Sequence, residues 1–232
     1  MLWSIENVQL KCDLVTLDSA LQNSYAEHVL SGKALPINYS TFVTQYQSIA
    51  NGLPITTSLT RAVSRLKSVF ISLDGDRKAV NSADPFTYIR KDFNSFMHPM
   101  LGNYNSDNEL QFSLQIGSKR FPEYPMQSAS DAFYQLKESL GIHGSAFQSI
   151  SPTFKQYIHD HHIIGIDTDK IVEAGFSGLN TRAGDLMVSK VQGASGSNVA
   201  NTTWSEYATK LYIVLHSDQI LEIRDTGSHR NS

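Results

Sequence analysis

At 232 residues with one cysteine, Cys12, the chain is long enough to bury a substantial core and has neither a disulfide framework nor a cysteine-based zinc site. A net charge of −3, with charged residues at only 18%, argues against a nucleic-acid groove built from bulk positive charge. No run approaches the ~18 consecutive apolar residues of a membrane span, and the opening MLWSIENVQLKCD lacks the basic and then apolar regions of a secretory signal peptide.

In chain order, a first strand is expected near 3–17. Val8, Leu10, Cys12 and Leu14 alternate there with Asn7, Gln9, Lys11 and Asp13, the period of two that buries one face of a strand and would make Cys12 an inert core thiol. Asp18 or Ser19 then caps a short helix that Gly32 stops. Residues 37–49 read as a second, more polar strand, closed by Asn51-Gly52 and Pro54. A third long strand spans 59–73, densest from Leu66 to Leu73. Residues 76–107 show no sustained period. A loop of ~30 residues is unusual in a compact domain, so the aromatic-rich excursion is expected to fold over or meet a neighbour.

Residues 109–117 give a half-buried strand, with Leu110, Phe112, Leu114 and Ile116 on one face. Phe121-Pro122-Glu123-Tyr124-Pro125 reads as an extended linker fixed by its prolines. Ser128 or Ser130 caps the best helix, which places Phe133, Leu136 and Leu140 on one face and ends at Gly141. Ser151-Pro152 starts a short helical turn. Strands follow near 161–167 and 184–192, then the Gly/Ser/Asn-rich turn 193–201. Two last strands, 209–216 and 219–225, form a hairpin across His216-Ser217-Asp218-Gln219. Apolar side chains on both faces of the first of these require cover on both sides. Eight antiparallel strands with short helices in the connections make an all-β jelly-roll sandwich. Without a repeat or a composition break, 1–232 reads as a single domain.

Chemistry is hard to place on this pattern. His159 and His161 in His159-Asp160-His161-His162 would point the same way on a strand and are the candidate metal ligands. A jelly roll with His-x-His is similar to cupin metalloenzymes, but their motif wants a Glu three or four residues beyond the second His, where Ile164, Gly165 and Ile166 stand. A polar corner before a buried strand accounts for the cluster equally well. No Gly-x-Ser-x-Gly elbow is present, and the glycines of Gly175–Asn180 lack the Gly-Lys-Ser/Thr of a phosphate loop. Catalytic residues and cofactors are therefore not assigned, and the chain reads as non-enzymatic. Trp204 and Tyr207 are the candidate interface residues, with Trp3 weighed beside them.

Three stretches then carry a resemblance. They are Glu109–Pro125, with its Leu114-Gln115-Ile116-Gly117 and Phe121-Pro122-Glu123-Tyr124-Pro125; Gly165-Ile166-Asp167 with Ala174–Leu186, containing Asn180-Thr181-Arg182 and Gly184-Asp185-Leu186; and the closing Leu211–Ile223. Together they resemble double-jelly-roll major capsid proteins of the Polinton/Maverick and large DNA virus type. The resemblance is to the C-terminal roll, because that family carries two rolls in chains about twice this length. It implies a structural protein that self-associates as a trimer or larger assembly with other capsid proteins, located in the virion or the host-cell interior (cytoplasm or nucleus). A domesticated jelly-roll module binding carbohydrate or a protein partner, and a cupin-like metalloenzyme, remain the alternatives.

Overall fold

The structure, a computed structural model, describes residues 6–48, 55–75, 110–141, 152–159, 161–169, 178–182, 187–193, 208–225 and 227–231. Its strands are β1 (Leu35–Ser48), β2 (Ile55–Leu59), β3 (Leu66–Gly75), β4 (Leu110–Ile116), β5 (Lys119–Met126), β6 (Ile164–Asp167), β7 (Met187–Gly193), β8 (Ala208–Arg224) and β9 (Gly227–Asn231). The helices are α1 (Ser19–Leu30), α2 (Ala129–Ser139) and α3 (Phe154–His159).

One sheet runs in the order β1-β8-β3-β6, with β9 pairing to β8 off this path; the other runs β2-β7-β4-β5. The pairs within the sheets are therefore nested: β1 with β8, β2 with β7, β3 with β6 and β4 with β5. Folding one long eight-strand hairpin over itself produces this order, and it defines the jelly roll. The all-β sandwich expected from the sequence is the architecture observed.

The chain divides into two compact units. The larger, Asn38–Ile220 with Ser232, holds the sandwich. Its core is built in rows. Across the first sheet, Ile213 and Ile164 flank Ile71, and Leu215 and Ile166 flank Val69. All six of these side chains are buried. Across the second sheet, Leu59, Met187 and Ile116 make one row, and Thr57, Ser189 and Leu114 the next. Taking a Val, Leu or Ile side chain fully out of water is worth about 1.5–3 kcal/mol, so these rows hold the two sheets face to face.

The outer face of the first sheet is covered at its β6 side by α2, whereas the cover expected over the back of β8 is not observed among the described residues. On β6, Gly165 leaves room for α2: a Cβ there would meet Ser139 Oγ and lie 3.0 Å from the Leu136 Cα. Ser128 caps α2 by accepting from the Asp131 N–H at 3.1 Å, and Gly141, at φ 68°, follows its end. Tyr157 of α3 is fully buried, its ring 4.9 Å from that of Phe133 on α2. Burial raises the Tyr157 hydroxyl far above its ordinary pKa of 10, and it donates to the Ile163 carbonyl at 3.3 Å.

The Asn180-Thr181-Arg182 motif has a structural task. The Thr181 hydroxyl donates to the Val63 carbonyl and accepts from the Val63 N–H, both at 2.9 Å. Gly178, at φ 142°, lies so close to the chain that a Cβ would stand 2.8 Å from the Arg65 Cα. The loop thus fixes the segment that passes from β2 in one sheet to β3 in the other.

The smaller unit, Met1–Ile37 with Leu221–Asn231, contains α1 and β9. Asp18 stands at the N-cap of α1, and Gly32, at φ 77°, follows its end. None of the residues of α1 is buried.

Four expectations are corrected. Residues 6–17 form no strand: they are irregular coil with every side chain exposed, Cys12 included. The long strand over 59–73 is two strands in different sheets, separated where the chain changes sheet. The prolines of 119–126 do not make a linker; they lie in β5, the last strand of its sheet, where a missing N–H costs no ladder bond. The terminal hairpin is one continuous strand, β8, because its polar middle is paired and not turned. The excursion 76–107 lies outside the described residues.

Candidate assembly surface

The described residues that present chemistry lie on the outer face of the first sheet, along β1 and β8. Even-numbered residues of both strands face outward there. The Phe42 ring stacks on the His216 imidazole, centroids 4.7 Å apart and planes within 13°. Tyr46 meets Tyr212 at 5.3 Å. Phe42 and Tyr46 remain 62% and 52% exposed. These cross-strand aromatic pairs leave much of their outer surface uncovered.

A polar cluster sits beside the stripe. Asp218 is buried, and its carboxylate lies 3.4 Å from the Lys67 ammonium and accepts from the Ser40 hydroxyl at 2.6 Å. The Tyr39 hydroxyl donates to Gln219 Oε1 at 2.9 Å. These side chains hold Ser217, Asp218 and Gln219 inside the sheet, which is why β8 does not turn at its polar middle. His216 Nδ1 lies 3.1 Å from the Ser68 hydroxyl. Burial, and after it the positive charge of Lys67, lowers the pKa of His216 below its ordinary 6.5, with Asp218 opposing.

One edge strand borders this face, and another lies at the β6 end of the sandwich. β1 ends the first sheet, and its fourteen residues, LPINYSTFVTQYQS, include no charged side chain. Near its end Gln45 turns toward β2: its amide donates to the Ser58 carbonyl at 3.1 Å and accepts from the Thr60 N–H at 3.0 Å. On the second sheet, β5 presents Tyr124, which is exposed.

Of the residues singled out from sequence, His159 closes α3 and does not lie on a strand, so the alternation that would aim it alongside His161 is absent; its side chain is outside the described residues. His161 is exposed, and His162 is buried with its ring 5.0 Å from Tyr157. Among the described residues, no group of three or more His, Cys, Asp or Glu side chains could hold a metal ion. Trp3, Trp204 and Tyr207 lie outside the described residues. The Phe42–His216 and Tyr46–Tyr212 pairs were not singled out from sequence. The one available signal was the unusually polar, uncharged composition of 37–49, which marks an edge strand.

No family model matches the sequence, and neither does any curated protein. The fold itself defines the class: this is an antiparallel jelly-roll sandwich. It is similar to VP54 of PBCV-1, in the crystal structure fitted into a cryo-EM reconstruction of the virophage Sputnik, with a TM-score of 0.50 and 11% identity over 93% of this chain and 55% of that one. A quasi-atomic model of the PBCV-1 virus capsid is similar at TM-score 0.48, 11% identity and the same coverage. The 3.5 Å cryo-EM structure of the Sputnik virophage gives 0.38 and 13% identity over 85% of this chain and 39% of that chain. The chain thus spans about half the length of the PBCV-1 protein it matches.

Proposed function

We propose that this chain is a capsid-type structural protein that associates with copies of itself and with other capsid proteins and acts without catalysis or cofactor. The nested strand order, together with a fold similarity to VP54 that spans 93% of the chain, is the observation that carries this reading. The half-exposed aromatic stripe on β1 and β8 supports it, since aromatic side chains are favoured in the cores of protein interfaces. A trimer or larger assembly, located in the virion, follows from the same reading. No helix among the described residues is long and apolar enough to cross a membrane.

Light scattering coupled to size exclusion tests it, with negative-stain imaging of the heaviest fraction. A trimer, or closed particles, is the expected result. A monomer at every soluble concentration would instead favour the binding-module reading.

A further inference from the structure

We propose that residues Val8–Val15 of one copy add as an extra strand to the free edge of β1 in a second copy, so that copies are joined by exchanged arms; this rests on the self-association proposed above. Val8, Leu10, Cys12 and Leu14 recur every second residue, as in a strand with one buried face. Yet Leu10 and Leu14 are 91% and 96% exposed, and Val8 and Val15 hardly less. An apolar alternation of this kind, left in exposed coil, is one half of a strand pairing.

β1 supplies the other half. It has one strand neighbour among the described residues, β8, and none of the described residues pairs with its far edge. Edge strands are ordinarily protected by charges, an interior proline or a bulge. β1 has no charged residue, and its single proline, Pro36, stands at its start. The open stretch runs from Asn38 to Thr44, before Gln45 engages β2. Those seven residues match the eight of the arm, which extends about 26 Å at ~3.3 Å per residue.

The faces agree as well. With Val8, Leu10, Cys12 and Leu14 on the outer side, the added strand continues the exposed surface of Phe42 and Tyr46. Gln9, Lys11 and Asp13 then fall beside Tyr39, Thr41 and Val43, which are only half-buried. The arm brings an apolar face that extends the stripe of Phe42 and Tyr46, and the edge brings the backbone partners for which the arm has no ladder among the described residues; β-strand addition of this kind takes its affinity from main-chain hydrogen bonds. The occupant is therefore this chain's own arm, supplied by a neighbour.

The test compares the full chain with an arm variant, L10D/L14D, and an edge variant, Thr44→Lys, by light scattering over a concentration series. Hydrogen exchange of the full chain is followed in parallel. Association of both variants is expected to weaken by about tenfold or more, with unfolding midpoints unchanged because all three positions are exposed. Amides of 8–15 and 38–44 should become protected together as concentration rises. Assembly unaffected by L10D/L14D would overturn the exchanged arm while leaving self-association standing, whereas a full chain that stays monomeric would overturn both. Protection of 8–15 that is already complete in the dilute monomer would mean that the arm folds back on its own chain, and it too would overturn the proposal.

Discussion

Val69 and Ile71 on β3, and Leu10 and Leu14 in the amino-terminal arm, are apolar side chains set on the same period of two. The first pair is 0% and 1% exposed, the second 91% and 96%. What separates them is the backbone. β3 has β8 on one side and β6 on the other, and its inward row is continued by Ile213 and Ile164; the arm has no ladder partner among the described residues. Alternation supplies a face, but burial has to be supplied by neighbours.

Four substitutions and a pH series sharpen that contrast. Ile213→Ala, in the middle of the buried row, should cost about 2–5 kcal/mol in urea unfolding, because the surrounding sheets relax only partly into the cavity. Gly165→Ala forces α2 off β6 and should cost about 1–3 kcal/mol; thermal unfolding should show it, along with loss of protection in α2 before the sheets. Asp218→Ala removes the partner of Lys67 and Ser40 from a buried site and should cost about 1–3 kcal/mol. Chemical denaturation at two salt concentrations checks it, with little change in the cost expected if burial and not surface charge dominates. His216 adds a pH effect. Its folded pKa lies below 6.5, so the folded state resists protonation. The stability it contributes is complete above about pH 6.5 and declines as pH falls from there toward the folded value. A stability-against-pH series of the native chain and His216→Phe should diverge in that acidic window and run parallel above it. At the other end of the comparison, Leu10→Ala should change the stability of the dilute monomer by no more than about 0.5 kcal/mol.

Much of the sandwich was legible from residues alone, and the reasons for the failures are physical. β4 was found because it presents one apolar face, Phe112, Leu114 and Ile116, to the core. The helix over 129–139 was found because Ser128 and Gly141 mark both ends. The sheet change between Leu59 and Leu66 was hidden because Val63 remains apolar and buried where the chain crosses over, held there by Thr181 from a distant loop. The continuity of β8 was hidden for the same kind of reason: Asp218 and Gln219 look like a turn until Ser40 and Tyr39, 178 and 180 residues away, are placed beside them. The aromatic stripe of the candidate surface was equally unreadable, since Phe42 meets His216 only through the pairing of the sequence-distant strands β1 and β8. A local reading found elements and faces, not the partners of those faces.

The position of β8 has a consequence for biosynthesis. Among the eight strands of the two sheet paths it is the last to leave the ribosome, yet it forms the interior of its sheet, between β1 and β3. Until it emerges, a nascent chain holds both flanking strands apart with their apolar rows unpaired. The sequence separation of these pairings makes for slow folding. Residence on a chaperone, or crowding among neighbouring polysomes, would therefore act hardest on this protein until β8 has emerged.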